Sequence, residues 1–267
     1  MQLKAPGRAF TLIELLVVIA VAGILAALAV PAIKEFGRGN QQVAATRQLL
    51  DDVGRARQLA MANRTTVYMV FLPNGYLTGN LPYPGNLGGL PLQSDSDRAL
   101  QLAGGQMRSY ALMSLRSIAD QPGQNRAQYL TEWKTLPPGW LIAPAKFVLP
   151  TVTVTFTNAN SFGPPVWNVN GFAVTNGLPF PSADAPLGQF YLPYIAFNHL
   201  GQLASGYDEY IPLARGTVDP ALGADGKLVA DDATVTESPL GNSFSDYNII
   251  HIDWLTGRAK LETRQIE

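Results

Sequence analysis

Phe10-Thr-Leu-Ile-Glu14-Leu-Leu-Val-Val-Ile-Ala-Val-Ala-Gly23-Ile-Leu-Ala-Ala-Leu-Ala-Val30-Pro31 is the stretch that organises this chain. Between Phe10 and Val30 its one charge is Glu14. A helix of that length runs about 32 Å at about 1.5 Å per residue, which matches a hydrocarbon core of about 30 Å. The Met1 amine, Lys4 and Arg8 precede it, and Lys34, Glu35 and Arg38 follow it with a smaller net charge. The positive-inside rule therefore predicts a single crossing, N-terminus in the cytoplasm and the remainder outside. A secretory signal peptide is the competing reading, because Ala27-Leu-Ala29 offers a small-x-small cleavage site. The length of the apolar run and the carboxylate near its start count against it. A carboxylate in a membrane segment costs about 3 kcal/mol unless it finds a partner, so Glu14 asks for one.

Arg8-Ala9-Phe10-Thr11-Leu12-Ile13-Glu14-Leu15-Leu16-Val17-Val18-Ile19 resembles the prepilin processing motif of type IV pilins and type II secretion pseudopilins. The resemblance implies that a prepilin peptidase cuts between Ala9 and Phe10 and that the new Phe10 amine is N-methylated. The family usually has Gly before the cut, where this chain has Ala9, also small. Glu14 becomes the fifth residue of the mature chain. The resemblance further implies that Glu14 serves assembly by pairing with the Phe10 amine of a neighbouring subunit. An unpaired carboxylate is costly in an apolar helix bundle and a paired one is tolerable, so such a pair fixes register more than it stabilises. Gly23 and Pro31 are helix breakers, Gly through backbone entropy and Pro through a lost hydrogen bond. Pilin-like helices resemble this one in carrying breakers at such positions. Gly23 fits close helix packing in a membrane equally well.

Residues 34–64 continue the helix as an amphipathic one. Leu49, Val53, Ala56 and Ala60 recur at spacings of four, three and four, while Arg47, Gln48, Asp51, Arg55 and Gln58 cover other faces. Asp51 and Arg55 are spaced as an i,i+4 pair. Nothing stops the helix before Asn63. Strand-like segments follow. Residues 66–72 (TVYMVFL) end at Pro73-Asn74-Gly75, and residues 151–157 alternate, with Val152, Val154 and Phe156 on one face and Thr on the other. Residues 194–197 enter the turn Asn198-His199-Leu200-Gly201 and return through 202–204. Residues 247–254 place Ile250, Ile252 and Trp254 on one face before Thr256-Gly257 turns the chain into 258–263. Residues 106–119 and 126–133 read as short helices inside an insertion of about 79–133, and residues 158–193 and 216–242 read as loop-rich. The expected fold is α+β and pilin-like: one long N-terminal helix, its first half transmembrane, packed on a C-terminal antiparallel β-sheet domain. The segments are a leader at 1–9, a transmembrane and filament-core helix at 10–33, its amphipathic continuation at 34–64, and a mostly β periplasmic domain at 65–267.

Composition narrows the function further. A net charge of −1 with 15% charged residues gives no basic excess for general nucleic-acid binding, so no nucleic-acid partner is expected. Cysteine is absent, which excludes disulfides, thiol catalysis and Cys-ligated zinc. With two His besides, no metal site and no cofactor are expected. His251 and Asp253 lie two apart on a strand and could touch, but no Gly-x-Ser-x-Gly elbow accompanies them, and a solvent face is the plainer reading. Asp219, Asp225, Asp231 and Asp232 lack EF-hand spacing and read as a solvated loop before a calcium site. Tyr83, Trp133 and Trp167 read equally as a binding patch or as core. The hairpins at 195–202 and 249–258, with the 136–140 segment (LPPGW), resemble those of GspH/FimT-type minor pseudopilins. The expected function is a structural, minor subunit of a type IV pilus or type II secretion pseudopilus and not an enzyme. Its expected partners are the prepilin peptidase, other pilins or pseudopilins, an inner-membrane assembly platform and membrane lipid. Its expected location is the inner membrane, single-pass, then the filament. A major pilin or surface adhesin is the first alternative, and a membrane-anchored hydrolase using His251 and Asp253 the second.

Overall fold

Helix α1 runs Leu12–Asn63 without interruption through Gly23 and Pro31, so neither breaker ends it. The computed structural model describes residues 12–79, 82–116, 126–156, 167–245 and 248–263, with the side chains of 26–40, 167 and 263 outside that description. The chain divides into two compact units, Met1–Val43 and Ala44–Glu267. In the second unit, Ala45, Leu49, Val53, Ala56 and Ala60 form a fully buried stripe along α1. That is the apolar period read from the sequence, and its three alanines allow a close approach to the sheets. The helix closes with Arg64 N–H on the Met61 carbonyl at 3.4 Å and Thr65 N–H on the Ala60 carbonyl at 3.2 Å. Arg64 takes the left-handed conformation, φ 49°, at the position where such a cap usually holds Gly.

After α1 come β1 (Val67–Phe71), α2 (Gln93–Gln101), β2 (Ser109–Ser114), β3 (Gln128–Tyr129), β4 (Lys134–Thr135) and β5 (Trp140–Ile142). Then follow β6 (Thr153–Phe156), β7 (Trp167–Asn170), β8 (Ala173–Thr175), β9 (Leu192–Phe197), β10 (Glu209–Asp219), β11 (Thr234–Glu237), α3 (Asn242–Ser245), β12 (Asn248–Ile252) and β13 (Ala259–Thr263). All pairings among the described residues are antiparallel. One sheet has the order β3-β2-β1-β9-β8, with β4 also on β2. Another has the order β11-β10-β12-β13, with β5 also on β10, and among the described residues β6 and β7 form a two-stranded sheet. Strand β1 explains its own unbroken apolar run. Val67, Met69 and Phe71 face the cluster that holds the α1 stripe, while Val70 faces a second cluster with Tyr76, Phe180 and Phe190. A strand buried on both faces needs no polar alternation. The second cluster also draws on Ala99 of α2, Leu192 of β9 and the loop residues Leu90 and Leu178.

Several sequence-based expectations are corrected here. Residues 109–114 and 128–129, read as helix, are the strands β2 and β3, and residues 134–135, just past the second of those helices, form β4. Every residue of β2 is buried, so its sequence lacks the polar alternation that marks a strand. Asp51 and Arg55 form no ion pair among the described residues; the neighbouring Asp52, itself buried, binds instead. Its Oδ2 accepts from the Tyr110 hydroxyl at 2.7 Å and its Oδ1 pairs with Lys134 Nζ, tying α1 to β2 and β4. Trp254 lies beyond the end of β12 and is exposed, whereas Ile250 and Ile252 are buried.

Candidate functional site

The residues singled out for assembly fall mainly in the first unit. Ala9 and Phe10, the processing and methylation positions, lie outside the described residues. Glu14 stands in the first turn of α1 and is exposed. A carboxylate there also meets the positive end of the helix dipole. Around it Leu12, Ile13, Leu15, Leu16, Val17 and Val18 are each more than half exposed. A Cβ placed on Gly23 would meet nothing within 4 Å. The Pro31 side chain lies outside the description. A helix apolar on all sides buries itself only in a bundle or a bilayer. Among the described residues no helix is long and apolar enough to cross a membrane.

The His251 constellation differs from the sequence reading. His251 Nδ1 lies 2.8 Å from Glu262 Oε1, its Nε2 lies 3.0 Å from Asp208 Oδ2, and its ring stacks on Tyr210. Strands β10, β12 and β13 bring these groups together through their register. Asp253 turns elsewhere: its Oδ1 accepts from the Thr256 N–H and hydroxyl, both at 2.7 Å. The Thr256 hydroxyl, then its N–H, hold the Asp253 carboxyl below the usual range. An imidazole with a carboxylate at each nitrogen has no free nitrogen for a nucleophilic hydroxyl, which a Ser–His–Asp arrangement requires. His199 sits exposed in its turn, as expected.

The acidic stretch does not converge. Thr217 donates to Asp219, Lys227 to Asp225, the Asp232 N–H to Asp231, and Thr78 to Asp232. Among the described residues no group of three or more His, Asp or Glu could hold a metal. Tyr83 and Trp133 belong to different apolar clusters. Tyr83 is buried, Trp133 is half-buried against Phe180 and Tyr129, and the Trp167 side chain is outside the description.

One buried charge cluster was not anticipated. Lys146 and Glu209 are both buried, Nζ to Oε2 at 2.6 Å, and Nζ also donates to the Asn170 carbonyl at 2.8 Å. The ammonium lies 4.6 Å from the centre of the Phe172 ring. Burial lowers the Lys146 pKa and raises that of Glu209, and their attraction offsets this only in part. The partners are 63 residues apart, one in a Pro-Ala-Lys turn and the other opening β10. No local pattern in the sequence joins them.

Residues 7–30 match the family model of the prokaryotic N-terminal methylation motif. Neither a curated protein nor a solved structure matches the chain. The motif supports a type IV pilin-like protein, a structural subunit in place of an enzyme, and implies processing by a prepilin peptidase and assembly with other pilins.

Proposed function

We propose that the chain is a minor subunit, of the GspH/FimT kind, of a type IV pilus or type II secretion pseudopilus. It is made as a prepilin with a leader at residues 1–9. It enters the inner membrane once through residues 10–33, with its C-terminal domain in the periplasm. The peptidase frees and methylates Phe10. Neighbouring apolar helices then bundle, and Glu14 of one subunit neutralises the Phe10 amine of another. Gly23 and Pro31 ease extraction of the helix from lipid into the filament on the assembly platform.

The observation that carries this reading is the methylation motif at residues 7–30, with Glu14 as the one charge between Phe10 and Val30. The exposed apolar side chains from Leu12 to Leu25 support it, because the described residues leave them uncovered and a bundle covers such a helix. The test is the intact mass and N-terminal sequence of the protein from its host, with and without the prepilin peptidase. A peptidase-dependent chain beginning at N-methylated Phe10 is expected. A chain beginning at Met1, or just after Ala29, overturns the filament reading. Within a sheared-filament preparation the protein is expected at low abundance, and dominance there would make it the major subunit.

A further inference from the structure

A cavity of about 210 Å³ opens in the second unit among β1, β8, β9 and the segment before β10. Its lining includes Thr66, Tyr68, Tyr194, Ala204, Ser205 and Glu209. Glu209 is 3% exposed and spends one oxygen, Oε2, on Lys146. Its other oxygen, Oε1, has no hydrogen-bond partner among the described residues. Lys146 pairs with Glu209 from outside the cavity, and no cationic residue lines it, so the polar face presented to the cavity includes a carboxylate and two phenols but no cation. An anion is therefore disfavoured there. The aromatic wall is the pair Tyr68 and Tyr194, edge to face with ring centres 5.5 Å apart. Their hydroxyls have no hydrogen-bond partner among the described residues. Burial, then Tyr194, raises the Tyr68 pKa, so its phenol stays neutral and able to accept a hydrogen bond.

A buried ion pair gives no stability that a well-packed apolar pair would not, so folding alone does not account for Lys146 and Glu209 beside this opening. What the cavity lacks is a hydrogen-bond donor for Oε1 and a cation beside two phenol rings. An ammonium supplies both, a charge-assisted bond to the carboxylate and attraction to the ring faces. A quaternary ammonium has no N–H to give, so a primary one fits better. The volume holds about seven waters at about 30 Å³ each, less than a drug-sized pocket and enough for a short alkyl stem. We propose that this cavity binds a primary ammonium on a short alkyl chain, held by Glu209 Oε1 and the Tyr68 and Tyr194 phenols. The source is either a free amine or the lysine side chain of another protein, and the chemistry at the site is the same.

Isothermal titration of the full chain in nonionic detergent tests this with n-butylammonium chloride, Nα-acetyl-lysine methylamide and sodium acetate. Saturable heat is expected from both amines and none from acetate. Glu209→Gln is expected to weaken amine binding about tenfold or more, as loss of a hydrogen bond to a charged group does. Because that change strands Lys146, Ser205→Trp provides the second variant: Ser205 is exposed at the mouth, so the indole blocks entry and leaves thermal unfolding unchanged. Tighter binding of the lysine amide supports a protein lysine as ligand, and tighter binding of n-butylammonium supports a free amine. Absence of saturable heat from either amine overturns the proposal. So does amine binding unchanged in Ser205→Trp, or acetate binding as strong as that of the amines. None of these outcomes depends on peptidase processing or filament assembly.

Discussion

Within α1, residues 12–25 and residues 45–60 carry apolar side chains in opposite circumstances. In the first run every large apolar residue is between 50% and 82% exposed, from Val21 to Leu12. In the second, Ala45, Leu49, Val53, Ala56 and Ala60 are 0% exposed, and charged residues occupy the other faces. One helix therefore holds two kinds of hydrophobic information. A stripe with one polar face is satisfied by the chain's own sheets, and burying a Leu there is worth about 1.5–3 kcal/mol to folding. A helix apolar all round is left uncovered by the described residues. Its burial waits for other molecules, and any polar residue in it then matters to their arrangement more than to the fold.

The largest expected effect follows from that division. Glu14→Ala removes the one charge from the apolar run and makes entry into a bilayer easier. If Glu14 serves register between subunits, incorporation into sheared filaments falls to background while the mass of the processed chain and the unfolding midpoint of the second unit stay as in the wild type. Incorporation at the wild-type level would reduce Glu14 to a passenger and leave the first run as a plain anchor. Immunoblotting of filament and membrane fractions reads the outcome.

Two matched deletions sharpen the comparison at the next scale. Leu49→Ala and Leu16→Ala remove the same atoms from the same helix. Leu49 is fully buried and Leu16 is 58% exposed. Leu49→Ala is expected to destabilise the second unit by about 2–4 kcal/mol, the loss of transfer energy plus a cavity. Leu16→Ala is expected to stay within about 0.5 kcal/mol. Denaturant unfolding of the detergent-solubilised chain, followed by tryptophan fluorescence, measures both, since all four tryptophans lie in the second unit. Equal losses would mean that the first run packs on its own chain.

The same contrast separates the elements that leave a local mark in the sequence from those that do not. The α1 stripe, the end at Asn63, and strands β1, β6, β9 and β12 each carry a period or a turn signal within a few residues. The turns at 198–201 and 253–257 were visible through Gly201 and Gly257, and the structure gives the reason: both have positive φ, and a Cβ on Gly257 would stand 2.0 Å from the Gly201 carbonyl oxygen. Strand β2 was not legible, because burial on both faces removes alternation and leaves Leu112 and Leu115 at a spacing that also suits a helix. The second core, with Tyr76, Phe180 and Phe190, was hidden in segments rich in Pro and Gly, whose apolar residues follow no period. In the sequence Glu14 stands out as a lone charge in an apolar run. Lys146, Glu209 and the carboxylates on His251 do not stand out, since only the strand register unites them.

The smallest effect concerns the point where the folding half of α1 stops. Its two capping bonds require a left-handed residue at position 64, and Arg64 supplies it at φ 49°. For a residue with a Cβ that conformation costs about 1–2 kcal/mol, a cost glycine avoids. Glycine also loosens the unfolded chain, which returns about 0.4–1 kcal/mol of that gain. Arg64→Gly is therefore expected to raise the stability of the second unit by about 0.5–1 kcal/mol, a small upward shift of its unfolding midpoint by calorimetry. Arg64→Val should move it the other way, because a β-branched side chain is the worst occupant of that conformation. A stabilising Val would mean that α1 ends by another geometry, and that the boundary between its buried stripe and the first sheet is set elsewhere than at this cap.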